Sequence, residues 1–392
     1  MSPRHLPPAG APLSATDLWN GVAGLLSPDK AIEQLEASLR SSLSVEHVFL
    51  TSSGRAALAM ILRALATLSP RRRVVVPAYT CFSVPAAVRR AGLEVAACDV
   101  DLETFDYDYD ELERTIGAAP PLCVVVPHLF GFPADIARVM TLCRPKGIFV
   151  IDDAAQALGT RLGDRALGTF GDAGLYSFGR GKGVTCGSGG AAVTNSADIA
   201  SALQAEYARA ERPGGAAAFK ELAATALMSV FLRPSLYGFP ASLPFLKLGE
   251  TEYAPDFPMQ RLSGAQAGML TGWQTRLARA NAARSAGVAA MRRAIKAPAP
   301  PGAPPCIRFP LVCASREARE RLYAAAQQRR LGFSRMYPSA ISGIPEIRRT
   351  LNGQRYPQAE QLAERLLTLP VHPFVSERDR QTIVDLVLQA GA

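Results

Sequence analysis

The sequence predicts an α/β protein, with a mostly parallel central sheet in a large domain and a smaller α+β domain at its C-terminal end. From about residue 73, short β-branched runs alternate with helical segments, and a long helical segment and a proline-rich stretch follow them. The runs are VVVP (74–77), VAAC (95–98), CVVVP (123–127) and IFVID (148–152). Runs this short and this apolar are typical of parallel strands buried on both faces.

The segments between these runs have the spacing of amphipathic helices. They read SVPAAVRRAG, YDELERTIG and PADIARVMTLC, and the first two close on glycine, which commonly ends a helix. A succession of strand, helix and parallel strand builds a sheet that binds ligands at the carboxyl ends of its strands. We therefore expect the functional site at those ends.

The last third of the chain predicts a smaller unit. A long helical pattern runs from Ser263 to about Ile295, and KAPAPPGAPP (296–305) then breaks regular structure as a linker. Beyond the linker lie CIRFPLV and helical segments near 315–328, 358–367 and 376–390. We divide the chain into an N-terminal arm and helix that join the small domain (1–45), a large α/β domain (46–260), and a long connecting helix with the small α+β domain (261–392).

Composition and charge exclude several classes of protein. The net charge is +9, but the basic residues are scattered, so we do not expect binding to nucleic acid. Every apolar run is shorter than the roughly 18 residues that a membrane-spanning helix needs, and the N-terminus lacks the apolar core of a secretion signal. Seven cysteines without a C-x-x-C pair indicate a reduced, cytoplasmic setting, and four isolated histidines give no metal-ligand spacing.

One lysine is hard to explain structurally in the stretch YSFGRGKGVTCGSGG (176–190). Only six of the 43 basic side chains are lysines, yet Lys182 lies between two glycines in a turn. Arginine keeps its proton in proteins, whereas a desolvated lysine can become the neutral amine that attacks a carbonyl. A nucleotide P-loop does not fit, because Gly179 is followed by Arg180 where that motif needs lysine. Lys182 is therefore the first candidate for a nucleophile.

A second segment, TSSGRAALAMILRAL (51–65), predicts a phosphate site. Ser53, Gly54 and Arg55 open a helix, and free amides at a helix N-terminus bind phosphate readily. The alternative is an ordinary serine cap.

A third segment, FVIDDAAQALGT (149–160), places two carboxylates at the end of a strand. One of Asp152 and Asp153 could hold a pyridinium nitrogen protonated, and the alternative is a pair of helix caps. A phosphate cup, an acid for a ring nitrogen and an amine for an aldehyde are the three requirements of pyridoxal 5'-phosphate. Together the three segments favour this cofactor.

Over nearly its whole length the chain resembles the DegT/DnrJ-type sugar aminotransferases, which are fold-type I pyridoxal-phosphate-dependent enzymes. Six motifs in the family's order carry the resemblance: SSGRAAL (52–58), VVVPAYT (74–80), PHLFGFPADI (127–136), VIDDAAQALGT (150–160), GTFGDAGLYSFGRGKGVTCGSGGAAVTN (168–195) and PQAEQLAERLLTLPVHP (357–373).

The resemblance implies a role for each site residue. Lys182 would form the Schiff base with the cofactor and then act as general base, Asp153 would pair with the pyridine nitrogen, and Gln156 would lie against the ring hydroxyl. The phosphate would be bound by Ser177 with Ser53, Gly54 and Arg55.

The resemblance also implies the reaction and the assembly. The enzyme would move an amino group, with glutamate as the usual donor, to a keto sugar carried on a nucleotide, in amino-sugar or polysaccharide biosynthesis. It would act in the bacterial cytoplasm as a homodimer whose active sites lie at the subunit interface. Two alternatives are a pyridoxal-phosphate-dependent sugar dehydratase and a catalytically silent regulatory or scaffold homologue. Lys182 argues against the dehydratase, because relatives with that activity tend to carry histidine there.

The chain departs from the family in three places. Where many members stack an aromatic side chain on the cofactor, this chain has Cys81, and the stacking residue is Cys81, Phe82 or Tyr79. An Asn-Tyr-Arg run that reaches the partner's phosphate is reduced to Arg261. The segment 219–253 is longer and more apolar than expected; it either packs on the partner or over the site, or it makes a peripheral contact with an anionic membrane.

Overall fold

A seven-stranded sheet is the centre of the protein, whose computed structural model describes residues 4–243, 251–295 and 304–391. Two further sheets have two strands each. The strands, in chain order, are β1 (His47–Thr51), β2 (Arg73–Pro77), β3 (Glu94–Cys98), β4 (Cys123–Pro127), β5 (Phe149–Asp153), β6 (Arg161–Leu162), β7 (Arg165–Ala166), β8 (Ala173–Ser177), β9 (Gly190–Thr194), β10 (Phe309–Val312) and β11 (Leu366–Leu369).

The large sheet has the order β1-β9-β8-β5-β4-β2-β3. From β3 to β8 each neighbouring pair is parallel, whereas β9 is antiparallel to β8 and β1 is antiparallel to β9. β1 therefore points the same way as the parallel strands, and its carboxyl end lies at the same edge of the sheet as theirs. The prediction of a mostly parallel α/β sheet is confirmed.

The four apolar runs that predicted strands are β2 to β5. Each is buried along almost its whole length, because helices cover both faces of the sheet. Two strands beside them, β8 and β9, are built partly from glycine and alanine. Small residues there let a helix approach closely: a Cβ on Gly190 would lie 2.6 Å from the backbone nitrogen of Gly54.

The helices of the described residues connect and cover these strands. They are α1 (Ala15–Leu26), α2 (Pro28–Leu43), α3 (Gly54–Leu68), α4 (Ser83–Arg90), α5 (Tyr109–Ala118), α6 (Ile136–Cys143), α7 (Ala197–Arg209), α8 (Gly215–Phe231), α9 (Gly238–Ala241), α10 (Gly264–Met269), α11 (Trp273–Ala294), α12 (Arg316–Gln328), α13 (Pro345–Thr350), α14 (Pro357–Arg365) and α15 (Glu377–Gln389). In these residues no helix is both long and apolar enough to cross a bilayer.

Two helical predictions need correction. The long helix expected from Ser263 is two helices, α10 and α11, because the chain turns at Gly272 with φ at 67°. The helix expected over 358–367 ends at Arg365, and the apolar residues that follow form β11, which pairs antiparallel with β10. Most of the predicted linker (296–303 of 296–305) lies outside the described residues.

The N-terminal arm, residues 4–13, runs over the C-terminal part of the chain. The amide of Leu6 donates to the carbonyl of Arg330 at 2.9 Å, and the buried His372 donates from Nε2 to the carbonyl of Pro7 at 2.8 Å. After the arm, α1 and α2 pack against α10 instead. The division at residues 45 and 260 stays a prediction.

Candidate active site

A cavity of about 250 Å³ lies at the carboxyl ends of the strands. It is lined by the ends of β1, β2, β4, β5 and β8 and by the turn after β8, as the βαβ pattern predicted. All seven residues that the sequence selected lie on its wall: Ser53, Gly54, Arg55, Asp153, Gln156, Ser177 and Lys182.

The N-terminus of α3 forms one wall of the cavity. Ser53 caps the helix, because its Oγ accepts from the amide of Ala56 at 3.2 Å. Gly54 lets this helix touch the end of β8, since a Cβ there would lie 2.8 Å from Cβ of Ser177. Arg55 lies over the ring of Phe257 at 4.6 Å. Unpaired amides and a cation at a helix start make this wall suited to an anion such as phosphate.

The two adjacent aspartates point to opposite sides of β5, as alternation along a strand requires. Asp153 faces the cavity, where its carboxylate accepts from the amide of Ala155 at 3.0 Å. Burial raises the pKa of Asp153, and the Ala155 amide and Lys182 oppose that rise. An ionised carboxylate here is costly unless a cation or a donor faces it.

Asp152 is fully buried and does not line the cavity. Its Oδ1 lies 2.7 Å from Nε2 of His128, and its Oδ2 accepts from the amide of Phe170 at 2.8 Å. Nδ1 of His128 accepts from the amide of Ala134 at 3.0 Å, so Nε2 carries the proton and donates it to Asp152. Asp152 therefore fixes the imidazole ring of His128, which does line the cavity.

Gln156 joins the sheet edge to the C-terminal part of the chain. Its Oε1 accepts from the amide of Phe130 at 3.0 Å, and its Nε2 donates to the hydroxyl of Tyr337 at 3.1 Å. Both bonds are buried, so the amide is held in one orientation on the cavity wall.

Lys182 enters the cavity from the glycine-rich turn after β8. Gly181 has φ at 71°, and Gly183 packs against Leu277. Within the described residues the Lys182 ammonium has no hydrogen bond or ion pair. Burial lowers the pKa of Lys182, while the neighbouring Cys81 and Asp153 act in the opposite direction. A lysine in this setting is closer to its neutral, nucleophilic form than a surface lysine.

The residues after β2 separate into a cavity side and a core side. Thr80 and Cys81 line the cavity, whereas Tyr79 and Phe82 are buried and do not line it. Of the three stacking alternatives, the structure thus brings only Cys81 to the wall. The Oγ1 of Thr80 is buried without a hydrogen-bond partner in the described residues.

Arg261 lies outside the cavity. Its guanidinium donates to the carbonyls of Tyr207 at 3.0 Å and Ala208 at 3.2 Å and stacks on the Tyr207 ring at 4.5 Å. Those contacts occupy the side chain within its own chain.

The sequence reading missed four polar residues of the wall: Thr80, Ser83, His128 and Ser188. Thr80 and His128 each follow closely after a predicted strand, and that position was a usable signal. Ser188 lies in the same glycine-rich stretch as Lys182, and its Oγ donates to the carbonyl of Ser52 at 2.5 Å. Ser83 begins α4, and no pattern in the sequence singles it out.

Comparisons with known proteins match the chain to one family. A model of the DegT/DnrJ/EryC1/StrS aminotransferase family matches residues 22–216 and 260–388. A UDP-N-acetyl-3-dehydro-alpha-D-glucosamine 3-aminotransferase from Acidithiobacillus ferrooxidans is 35% identical over 167 residues, which are 42% of this chain and 44% of the relative. The chain spans less than half the length of the curated relatives that it matches.

Two solved structures share the fold over almost their whole length. PseC of Helicobacter pylori, an aminotransferase involved in the biosynthesis of pseudaminic acid, superposes with a TM-score of 0.79 at 16% identity, covering 99% of both chains. A GDP-4-keto-6-deoxy-D-mannose-3-dehydratase from E. coli, with bound hydrated PLP, superposes with a TM-score of 0.76 at 14% identity, covering 98% of this chain and 99% of the other.

Proposed function

The chain belongs to the DegT/DnrJ/EryC1/StrS aminotransferase family, and from this membership we propose that it is a pyridoxal-phosphate-dependent aminotransferase. Its acceptor would be the keto carbon of a sugar, carried on a nucleotide, and its donor would be glutamate. The observation that carries the proposal is that the amine of Lys182 lies in one cavity with Asp153 and the start of α3. The dehydratase alternative is less supported, because the matched family and the first relative are named as aminotransferases.

The residues present fit pyridoxal phosphate. Phosphate needs donors, and the start of α3 supplies amides beside Ser53, Arg55 and Ser177. A pyridinium nitrogen needs an acid partner, and Asp153 offers a buried carboxylate that forms no ion pair within the described residues. Thr80 adds a buried hydroxyl whose hydrogen-bonding capacity is unused.

Once bound, pyridoxal phosphate supplies an electrophilic carbon and a ring that takes up an electron pair. The chain's residues would do the rest. Asp153 would hold a proton on the ring nitrogen, where its own raised pKa is offset by the positive charge it faces. Lys182 would hold the cofactor and would carry a proton at Nζ between the substrate carbon and the cofactor carbon.

His128 and Gln156 would orient the ring. The imidazole of His128 is fixed by Asp152, and the amide of Gln156 is fixed by Tyr337. Fixed groups of this kind need no reorganisation during the reaction, which is how preorganised sites lower a barrier.

The half-reaction with glutamate tests the function. Purified protein loaded with pyridoxal phosphate should lose the absorbance of the bound aldehyde when glutamate is added and release 2-oxoglutarate in equal amount. The matched control is Lys182→Ala, which should do neither. If the loaded protein keeps the aldehyde form with glutamate and with other amino donors, it is not an aminotransferase. That result would favour the catalytically silent homologue.

We also propose that the chain forms a homodimer with active sites at the subunit interface, and that α1 and α8 form its contact face. The two helices pack side by side, and each leaves large apolar side chains in water. Trp19 and Leu26 of α1 are 71% and 79% exposed, and Phe219 and Leu227 of α8 are 60% and 61% exposed. Contiguous apolar surface of this kind is typical of a protein interface.

The composition of α8 favours a protein partner over a lipid surface. A helix that lies on a membrane has a strongly charged face opposite its apolar face, whereas α8 carries only Lys220 and Glu221 as charged residues. The membrane hypothesis for 219–253 therefore becomes an alternative outcome of the dimer experiment, and residues 244–250 of that segment lie outside the described residues. A cytoplasmic location stays a prediction; the seven cysteines are free thiols, which is compatible with it.

A further inference from the structure

We propose that Arg284 is a positioning residue: it fixes the backbone that directly follows Lys182 and so sets the direction in which the Lys182 amine enters the cavity. This inference rests on the proposed function for the role of Lys182, but its structural part can be tested without activity. Arg284 does not line the cavity and would act only through the turn.

The first observation is a buried cation with no acidic partner. Arg284 lies in α11 with 1% of its surface exposed, and within the described residues no carboxylate forms an ion pair with it. Burial lowers the pKa of Arg284 to about 10, which reflects how unfavourable the charge is there. A charge in such a place is retained only where other groups compensate for its lost hydration.

The compensation comes from backbone carbonyls of the lysine turn. Nη1 of Arg284 donates to the carbonyl of Gly183 at 3.0 Å, and Nη2 donates to the carbonyl of Lys182 at 3.1 Å. Nη2 also lies 3.4 Å from the carbonyl of Gly10 in the N-terminal arm. One planar fork therefore holds two successive peptide groups, those that follow Lys182 and Gly183.

The turn needs such an anchor because glycines flank the lysine. Gly181 is in the left-handed region, with φ at 71°, and glycine restricts the backbone less than any other residue. Inside the turn itself, the Lys182 amide donates to the carbonyl of Gly179 at 3.3 Å. Without Arg284, the carbonyls of Lys182 and Gly183 would lose their described side-chain partner.

The same helix also holds the segment that follows Asp153. Asn281, one turn before Arg284, accepts from Nη1 of Arg284 at 3.0 Å and donates from Nδ2 to the carbonyl of Leu158 at 3.4 Å. Leu277 lies against both turns, since a Cβ built on Gly159 would be 2.8 Å from its side chain and one built on Gly183 would be 3.1 Å from it. α11 thus supports both the turn that carries Lys182 and the segment that follows Asp153.

Arg284→Lys tests the fork, because it keeps a positive charge but replaces five fixed donors by a single ammonium. The first measurement is amide hydrogen exchange of the protein without cofactor. We expect exchange to rise about tenfold or more in peptides that cover 180–185, with no change in peptides from β4. The matched control is Arg293→Lys, an exposed arginine of the same helix, which should leave both regions unchanged.

The second measurement is attachment of pyridoxal phosphate to Lys182, followed by borohydride reduction and peptide mapping over a range of pH. In Arg284→Lys the attachment should slow about tenfold to a hundredfold and its pH midpoint should move, as expected for a misplaced nucleophile. Asn281→Ala is a second variant that leaves the guanidinium in place. If Arg284→Lys does not fold, Asn281→Ala takes its place in the test. We expect it to raise exchange at 180–185 and to slow attachment, each by less than Arg284→Lys would.

Exchange that is unchanged at 180–185, or that rises equally in all peptides, overturns the inference, as does unchanged attachment in both variants. The two proposals fail differently. If wild-type protein does not react with glutamate but Arg284→Lys loosens 180–185 and slows attachment, the proposed function is wrong and the positioning role holds. If wild type reacts and both variants match it, the function holds and the positioning role is wrong.

Discussion

The carboxyl ends of the strands and the α8–α9 region differ in which side chains they bury and which they expose to water. At the strand ends, buried polar groups face one another or the cavity, as Asp152 does with His128 and Gln156 with Tyr337. In α8 and α9, large apolar side chains such as Leu227 and Phe239 face water. The family model matches the first region and leaves 217–259 between its two matched blocks. Our proposals thus assign reaction chemistry and association to different residues of this chain, and we expect variants that disturb one more than the other.

The largest expected effect is the loss of Lys182. Lys182→Ala should abolish the glutamate half-reaction, because within the described wall no other lysine lines the cavity, and it should leave the dimer intact. Borohydride reduction and peptide mapping should place the pyridoxyl group on Lys182 in wild type. A label on another lysine, such as Lys146 or Lys220, would contradict the assignment. Dissociation of the Lys182→Ala dimer would show that the two regions are not separable.

The next effect separates the two aspartates. Asp153→Asn should still bind pyridoxal phosphate at Lys182 but lose transamination by about a hundredfold or more, because an amide cannot hold the ring proton. The readout is the single-turnover rate with glutamate, beside borohydride trapping of the bound cofactor.

Asp152→Asn is the paired variant, and its effect should fall on stability. Its side-chain amide has one acceptor oxygen for two buried donors, those of His128 and Phe170, at a cost of about 3 kcal/mol measured by denaturant unfolding. If Asp152→Asn folds well and loses transamination while Asp153→Asn stays active, the assignment of the two carboxylates is reversed.

The reverse disturbance is made in α8. Replacing Phe219, Leu227 and Val230 by serine should convert the dimer to monomer without unfolding, because it removes apolar surface that only a partner would bury. Sedimentation at micromolar concentration measures this. Leu388→Ser, an exposed leucine of α15, is the matched control and should stay dimeric.

Wild-type protein that is monomeric contradicts the dimer. If it then sediments with anionic liposomes in a salt-sensitive way, the membrane hypothesis for 219–253 takes its place. If it does not, the apolar face serves neither role.

The smallest effect concerns the arm that lies between the two regions. Burial lowers the pKa of His372 to about 4 from an ordinary 6.5. Between these values the unfolded chain binds a proton that the folded chain does not, so stability should fall as pH drops from 6.5 towards 4, by up to about 3 kcal/mol. Denaturant unfolding across this range measures the free energy of unfolding at each pH. That free energy should change less steeply with pH in His372→Gln, which keeps a donor for the carbonyl of Pro7. Equal slopes would contradict the assignment.

The sequence predicts an element of the fold correctly where a single local pattern is enough to identify it. The runs of β2 to β5 are β-branched and continuous, and Lys182 and Asp153 stand out by residue type and place. The signal fails where pairing decides the structure. The segment LLTL at 366–369 continues a helical pattern, yet it is a strand because β10 lies beside it.

The candidate site divides in the same way. Residues near the strand ends can be found from position, since parallel strands bring their carboxyl ends together. Arg284 and Tyr337 cannot, because they reach the site from more than 100 residues away in sequence. Such contacts depend on how the C-terminal part packs against the sheet, and no local pattern encodes that packing.

The strand order has a consequence for synthesis of the chain. β1 pairs only with β9 in the sheet, so residues 47–51 must wait for residues 190–194 before their hydrogen bonds can form. At ribosomal rates of about 5–20 residues per second, that wait is on the order of ten seconds. During it Ser53 and Gly54 have no β8 or β9 to pack against, and the apolar strand HVFLT has an open edge that can pair with other chains. The emerging chain is therefore most prone to aggregate before β9 leaves the ribosome, well before Arg284 is made.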